Sequence, residues 1–299
     1  MHVPHARHIA DVVKTTHPTY SHVLVEPNIA MVTENTLLVF VQSSPGNAQK
    51  RSIIRATWGN SGYYAKYTNR TNVVVIFTLG QHYIGKSDSW DTVQQEMADN
   101  RDVLLLDIRD EYNMLSMKGL YTMKWIAARL PQLRYILKTD DDVLLNIPAW
   151  FRVIRGLDDN LVRCCIVCYV WINPATMRQH PKYSVSVQEY PHGNYPSFCS
   201  GLGYLMTRDA LNGVLKASDH LPLFVRDDPY FTGMLAYIAR VKLITVPGPS
   251  VIIYGSSEEV VNALQQPMFA VHDAPLPVWM VFWEQMSMDY ESGNERRSL

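Results

Sequence analysis

Apolar runs of strand length alternate with amphipathic segments along the first half of the chain. Four runs predict buried strands, at 37–44, 73–80, 102–108 and 134–145, the last of which runs into an acidic turn. The segments between them predict helices at 45–59, 89–100 and 113–130. Regular alternation of strand and helix predicts an α/β fold with a mostly parallel sheet.

The second half of the chain is less regular than the first, and both ends of the chain are predicted to lie outside the folded domain. Further strands are expected at 164–172 and 243–254, and further helices at 207–217 and 227–240. Residues 1–35 are polar and aperiodic, which predicts a tail or stem, and residues 291–299 predict a C-terminal tail. Residues 36–290 then form one compact domain with a nucleotide half and an acceptor half. Its ligand is expected beyond the carboxyl ends of the strands.

Composition narrows the classes of partner. Charged residues make up 18% of the chain and the net charge is −1, so no basic field favours binding to nucleic acid. No apolar run approaches the roughly 18 residues of a membrane span. The first 20 residues contain no apolar stretch of the kind found in signal peptides, so neither a signal peptide nor a transmembrane segment is predicted in this sequence.

Four cysteines leave two interpretations open. Cys165 and Cys168 are spaced as C-x-x-C, which suits zinc or redox chemistry. No second pair completes a zinc site, and the apolar residues around Cys168 favour a structural role in a buried strand. The disulfide pairing of the four cysteines is left open.

The sharpest chemical feature is the acidic run at 139–143, Thr-Asp-Asp-Asp-Val. Three consecutive carboxylates at a strand end repel one another unless a cation lies among them. A hard divalent ion with oxygen ligands and substrate phosphates meets that need. The alternative is a solvated acidic turn, but the apolar residues on both sides favour a site.

Six blocks in order resemble the β-1,3-galactosyltransferase and β-1,3-N-acetylglucosaminyltransferase family, to which the fringe proteins are related. They are RSIIRATWG (51–59), IFTLG (76–80), DVLLLDIRDEYNMLSMKG (102–119), KTDDDVLLN (138–146), YPSFCSGLGYLMT (195–207) and DDPYFTG (227–233). The resemblance implies a GT-A-like, Rossmann-like α/β fold, a UDP-sugar donor, Mn²⁺ and inverting transfer to a glycan hydroxyl. It also implies a location in the Golgi lumen or membrane and a membrane anchor, which this sequence does not contain.

The resemblance implies a metal site and a donor site. Asp142 matches the direct Mn²⁺ ligand and His272 the C-terminal histidine of the metal shell, although taken alone His272 is typical of a structural histidine. The residues that match donor-binding positions are Arg51, Arg55, Trp58, Asp107, Lys118, Asp140 and Asp141. For Arg55 and Trp58, the alternative is that they only hold their helix against the sheet.

The resemblance also implies a catalytic base and an acceptor site. Asp228 matches the base, and the alternative is that Asp227 and Asp228 only open the helix that follows. The residues that match acceptor positions are Tyr195, Gly201, Gly203 and Tyr204; without the resemblance they indicate an ordinary glycine and aromatic turn.

We therefore expect a Mn²⁺-dependent hexosyltransferase that forms a β-1,3 linkage to a glycan, glycoprotein or glycolipid acceptor, with galactose as the expected sugar. The alternatives are an N-acetylglucosaminyltransferase and a non-catalytic binder of UDP-sugars or glycans. Departures from the family pattern at Asn113 and Pro229 support the binder. The sequence lacks a glycine-rich phosphate loop, which disfavours a phosphotransferase.

Overall fold

The first apolar run forms a central strand whose side chains alternate between two hydrophobic cores. A computed structural model describes residues 22–65, 72–81, 87–246, 269–272 and 275–291. All seven residues of Thr36–Gln42 are buried. Leu38 and Phe40 enter one core, whereas Leu37 and Val39 enter the other. Such a strand is apolar throughout because both faces of its sheet are covered.

The strands are β1 Val23–Val25, β2 Thr36–Gln42, β3 Asn72–Gln81, β4 Val103–Arg109, β5 Tyr135–Asp140, β6 Val143–Leu145, β7 Cys165–Trp171, β8 Phe198–Thr207, β9 Lys242–Thr245 and β10 Ala270–His272. The helices are α1 Ala48–Ala56, α2 Ser61–Ala65, α3 Ser87–Asn100, α4 Leu115–Arg129, α5 Ile147–Asp159, α6 Arg208–Ser218, α7 Ala236–Ile238 and α8 Leu276–Glu291. Short 3₁₀ turns cover Pro45–Asn47 and Tyr112–Met114, and a π-helical segment covers Pro229–Leu235.

Within the described ranges, one sheet has the strand order β1-β4-β3-β2-β5-β8-β7-β9. Strands β4, β3, β2 and β5 are parallel, β8 is antiparallel to both β5 and β7, and β9 is parallel to β7. All strands of this sheet except β1 and β8 therefore run in one direction. The predicted α/β class with a mostly parallel sheet is confirmed.

Each face of the sheet carries its own core. The first core, which we call the α4 face, contains side chains of α4, α6 and the π-helical segment. The second core, which we call the α5 face, contains side chains of α1, α5 and the two-stranded ribbon of β6 and β10. The carboxyl ends of β2 to β5 and the start of β8 lie at one edge between the two faces.

Two local predictions differ from the structure, and a third is described only in part. The packed chain begins before residue 36, because β1 pairs with β4 and Val32 is buried in the core of the α4 face. The predicted strand 134–145 is broken between Asp140 and Val143, where the acidic turn redirects the chain. Residues 247–254 of the strand predicted at 243–254 lie outside the described residues.

The C-x-x-C spacing reflects strand packing and one disulfide. Cys168 on β7 is bonded to Cys199 on the neighbouring strand β8. Cys165 is buried as a free thiol, and burial raises its pKa to about 11, with further raising contributions from Asp209 and Cys164. A thiol with so high a pKa is a poor metal ligand or nucleophile, so the structural interpretation is the better one.

Reduction of the disulfide should release two more thiols and destabilise the fold. The bond closes a loop of 31 residues, for which the lost constraint on the unfolded chain is worth about 3–4 kcal/mol. Thiol labelling in denaturant should modify Cys164 and Cys165 without reductant and all four cysteines with it. Labelling of all four cysteines without reductant would contradict the pairing.

Candidate functional site

A buried lysine occupies the centre of the sheet's carboxyl edge. Lys138 is 1% exposed and lies on β5, two residues before the strand ends. Its Nζ lies 2.9 Å from Asp140 Oδ1, 3.5 Å from Asp227 Oδ2 and 3.5 Å from Asp228 Oδ1. Burial disfavours the ammonium, but the charges of Asp140, Asp228 and Asp227 outweigh it and raise the pKa of Lys138 well above its ordinary value. The lysine is therefore a fixed cation.

Sequence analysis did not single out Lys138. Its signal was a charged residue inside an apolar strand, Tyr-Ile-Leu-Lys, where a lysine is costly unless it is paired. Directly opposite on β8 is Tyr204, whose ring centroid lies 5.7 Å from the ammonium. Only the fold reveals the acidic partners, because Asp227 and Asp228 are about 90 residues further along the chain.

The predicted base lies where the chain enters the π-helical segment. Asp227 accepts a hydrogen bond of 3.4 Å from Gln42 Nε2 at the end of β2. Burial raises the pKa of Asp228 well above its ordinary value, and the neighbouring charge of Asp227 raises it further, while Lys138 lowers it. An acid group in such surroundings is a stronger proton acceptor once it is ionised.

The three consecutive carboxylates point to three different partners. Asp140 faces Lys138, and burial raises its pKa to about 6 against the opposing charge of that lysine. Asp141 accepts hydrogen bonds from Ser43 at 2.7 Å, Asn47 at 2.8 Å and Lys50 at 3.3 Å. This division removes much of the mutual repulsion expected of the acidic run. It also makes Asp141 an anchor for the start of α1, not the donor ligand that was predicted.

Asp142 is paired with the predicted histidine. Strand β10 is antiparallel to β6, with His272 opposite Val143, and His272 Nε2 lies 3.6 Å from Asp142 Oδ2. Burial raises the pKa of Asp142, but the hydrogen bond and charge of His272 outweigh it, and the net pKa is lowered. The other oxygen, Asp142 Oδ1, is buried and accepts no hydrogen bond from the described residues.

The pair fits one side of a divalent-ion site. An ionised carboxylate with a vacant oxygen beside an imidazole nitrogen is a suitable donor set for Mn²⁺, with substrate phosphates and water completing the shell. Within the described ranges, no cluster of three or more His, Cys, Asp or Glu side chains is placed to hold a metal alone. Asp142 and His272 are therefore the residues that would hold such an ion.

Three of the four residues predicted at the acceptor site, Gly201, Gly203 and Tyr204, lie in a strand and not in a turn, whereas Tyr195 precedes that strand. Gly201 and Gly203 belong to β8, next to β5. A Cβ on Gly201 would overlap the carboxylate of Asp228, so this glycine makes room for the predicted base. A Cβ on Gly203 would meet Leu145 at 3.4 Å, which is ordinary packing.

Neither predicted tyrosine offers an open face to a sugar. Tyr204 is fully buried beside Lys138, and Tyr195 is buried against Tyr190, with ring centroids 4.9 Å apart. Their aromatic character serves the core of the α4 face. The prediction that they bind the acceptor through exposed rings is corrected on this ground.

The two arginines predicted to bind the donor are bound to acids of the protein. Arg51 is completely buried and forms two hydrogen bonds to Glu96, of 2.8 and 2.6 Å. Arg55 forms a bidentate pair with Asp102, at 2.7 and 2.8 Å. These paired hydrogen bonds hold α1 against α3 and against the start of β4. Trp58 is also fully buried, so the alternative interpretation, a helix held against the sheet, describes this block.

Of the two remaining donor candidates, Lys118 is bound within the protein and Asp107 is exposed. Lys118 is buried and donates to Ser43 O at 2.7 Å and to both oxygens of Asp110, so it joins α4 to two strand ends. Asp107 is exposed, accepts a hydrogen bond from Gln81 and lines an open groove of about 420 Å³ together with Met117 and Tyr121. Of these two candidates, only Asp107 is accessible to a ligand.

Comparison with known proteins identifies the family. The sequence profile described as galactosyltransferase matches residues 49–247, about two thirds of the chain. The chain belongs to the galactosyltransferase family. This family's range contains Lys138, all three acids of the run, and Asp227 and Asp228.

Relatives in the family carry names of β-1,3-transferases. The chain is 27% identical over 222 residues to a lactosylceramide 1,3-N-acetyl-β-D-glucosaminyltransferase of Xenopus laevis, covering 73% of this chain and 58% of that protein. It is 30% identical over 200 residues to a UDP-GalNAc:β-1,3-N-acetylgalactosaminyltransferase of Sus scrofa, covering 65% and 57%. The matched region thus spans less than two thirds of the length of these relatives.

A solved glycosyltransferase involved in glycosylation of the major capsid of PBCV-1 aligns with 11% identity and a TM-score of 0.39, covering 84% of this chain and 99% of that one. That similarity is too low to support an argument. None of the helices in the described ranges is long and apolar enough to cross a bilayer.

Replacement of Arg51 should damage stability, although the sequence predicts a donor ligand. Arg51→Met removes one of the two arginine partners of the largely buried Glu96 carboxylate. This loss should lower the free energy of unfolding by about 3–5 kcal/mol. The matched control is Arg129→Met, which removes an exposed pair with Glu26 and should cost about 1 kcal/mol or less. Chemical denaturation measures both, and equal losses would contradict the structural role.

Proposed function

We propose that this protein transfers a sugar from a UDP-sugar to a glycan hydroxyl with inversion, forming a β-1,3 linkage in a Mn²⁺-dependent reaction. One observation carries the proposal: the buried cation Lys138 contacts both Asp140, the first acid of the run, and Asp228, so the acidic run and the predicted base lie around one ammonium. Family membership supports the transferase class, and the relatives' names support the β-1,3 linkage.

The two acidic centres lie on opposite faces of the sheet edge. His272 belongs to the β6–β10 ribbon on the α5 face and Asp142 directly precedes it, whereas Asp228 precedes the π-helical segment on the α4 face. An inverting displacement needs this separation, because the acceptor oxygen attacks C1 from the side opposite the leaving UDP. A donor diphosphate held near Asp142 places the acceptor beside Asp228.

Each group then has one task. Asp228 takes the proton of the acceptor hydroxyl as its oxygen bonds to C1 and the bond from C1 to UDP breaks. Bound Mn²⁺ supplies neutralisation of the charge that develops on the leaving diphosphate. Lys138 holds Asp228 and Asp140 in place, and Gly201 leaves room for the base.

The donor sugar remains a proposal among three. Sequence analysis favours galactose, while the relatives' names point to N-acetylglucosamine and N-acetylgalactosamine. An oxidising compartment such as the Golgi lumen is proposed as the site of action, and the disulfide between Cys168 and Cys199 supports it.

A donor screen tests the reaction. UDP-galactose, UDP-N-acetylglucosamine and UDP-N-acetylgalactosamine are each incubated with a β-galactoside acceptor, with Mn²⁺ or with EDTA. We expect one donor to give a β-1,3-linked product, identified by NMR, and EDTA to abolish it. Binding of UDP-sugars without transfer or hydrolysis of any donor would instead support the non-catalytic binder.

Removal of the base should separate turnover from binding. Asp228→Asn keeps the shape of the side chain but cannot accept the proton, so kcat should fall on the order of 10²–10⁴-fold. Affinity for UDP, measured by calorimetry, should change less than threefold, on the order of 0.6 kcal/mol. Full turnover by this variant would exclude Asp228 as the base.

Gly201 and Gly203 offer a matched pair. Gly201→Ala drives a methyl group into the carboxylate of Asp228, whereas the methyl group of Gly203→Ala meets Leu145, Trp150 and the carbonyl of Lys138 at 3.4 Å or more. Gly201→Ala should lower kcat about 100-fold or more, since small displacements of a catalytic group are costly. Gly203→Ala should retain most activity. The same kcat in both variants would contradict the proposed space requirement.

A further inference from the structure

A cluster of aromatic and cationic side chains borders the pair Asp227 and Asp228. Its members, here called the basic-aromatic cluster, are Tyr112, Lys182, Tyr183 and Arg226. Lys182 Nζ lies 5.2 Å from the ring centroid of Tyr112 and 5.4 Å from that of Tyr183. The guanidinium carbon of Arg226 lies 5.3 Å from the Tyr112 centroid. Two cations thus share one tyrosine ring.

Neither cation forms a close ion pair with an acid of the described residues, although Arg226 interacts at longer range with the charge of Glu189. No carboxylate in the described ranges lies within 4.0 Å of the Lys182 ammonium or the Arg226 guanidinium. Arg226 donates to the carbonyl of Ser184 at 3.0 Å, while its Nε is buried without a hydrogen-bond partner among the described residues. Lys182 is exposed. The cluster therefore carries an exposed ammonium and a guanidinium with a hydrogen-bond donor left unused.

The cluster lies on the side of the predicted base. Tyr112 precedes α4, Arg226 directly precedes Asp227, and Lys182 comes from the segment between β7 and β8 whose residues Val185 and Tyr190 enter the core of the α4 face. The Asp142–His272 pair lies on the α5 face instead. This placement favours contact with the acceptor over contact with the donor diphosphate.

Electrostatics link the cluster to the acids of the site. Burial raises the pKa of Tyr112 to about 12; the charge of Arg226 opposes this, while those of Tyr183, Asp227 and Asp228 add to it. The phenol therefore lies within the field of both acids. An anion approaching Asp228 would be repelled by that field unless cations lay beside its path.

We propose that the basic-aromatic cluster binds an acceptor glycan that carries a negative charge, either a uronate carboxylate or a sulfate ester, on the sugar next to the one that reacts. Aromatic rings provide faces for sugar rings, and an ammonium with a guanidinium provides donors for an oxyanion. A neutral acceptor would leave both cations without an anionic partner at this position. The inference rests on the proposed function and assigns the class of acceptor.

Binding of three matched glycosides tests the inference without requiring turnover. Calorimetry with the full chain, UDP and Mn²⁺ compares benzyl β-lactoside, its 6-sulfate on the glucose, and a benzyl disaccharide in which glucuronic acid replaces that glucose. The wild type should bind one of the two anionic glycosides about tenfold more tightly than the neutral one, equivalent to about 1.4 kcal/mol. Which of the two binds tightly distinguishes sulfate from carboxylate.

The variants locate that preference. Lys182→Ala and Arg226→Met should each reduce the preference for the anionic glycoside about fivefold, as expected for loss of one partly exposed ion pair. Arg226→Lys keeps the charge and should retain most of the preference. The control Lys216→Ala alters an exposed lysine on α6 and should leave the preference unchanged.

Three results would overturn the inference: no binding of either anionic glycoside, equal binding of all three by the wild type, or an equal loss for all three in Lys182→Ala. The last would show that the cluster only braces the segment between β7 and β8. Transfer to the neutral lactoside without anionic preference would overturn this inference and leave the proposed function standing. Anionic preference without any transfer or hydrolysis would support the inference on binding and reject the proposed function.

Discussion

The site depends on one ion cluster, in which the ammonium of Lys138 is buried among three carboxylates. The desolvation of a lysine at this depth is tolerated only because acids from two distant parts of the chain surround it. Asp140 comes from the end of β5, and Asp227 and Asp228 come from the turn before the π-helical segment. The same contacts that make the lysine tolerable bring the metal motif and the predicted base to one place.

The two faces of the sheet divide the work around that cluster. On the α5 face, the β6–β10 ribbon pairs Asp142 with His272 and leaves one carboxylate oxygen available to a cation. On the α4 face, Asp228 is flanked by the basic-aromatic cluster. A donor and an acceptor approaching from these two faces would meet at the carboxyl edge of the sheet, where parallel α/β folds place their ligands.

Several charged residues in the family blocks stabilise the fold. Arg51, Arg55 and Lys118 have their donors occupied by Glu96, Asp102 and Asp110, and they tie helices to strand ends. Their contribution to chemistry is indirect: they keep the strand ends rigid under a densely charged site. A charged residue in a family block is therefore not by itself a ligand residue, because rigid positioning of acids needs buried counter-charges as much as substrate contacts do.

The sequence alone predicted the alternation of strands and helices from β2 to β5, because apolar period and turn residues act locally. It also predicted a site at residues 139–143 and, through ordered blocks, which distant residues belong with it. Only the tertiary structure decided which charges face a cleft and which face one another. Arginines look the same in a sequence whether they bind a phosphate or a glutamate, and of the three acids that surround Lys138 only Asp140 lies in its own segment. Its partners are fixed by strand pairing and by the packing of the π-helical segment against β8, which are long-range contacts that no local pattern records.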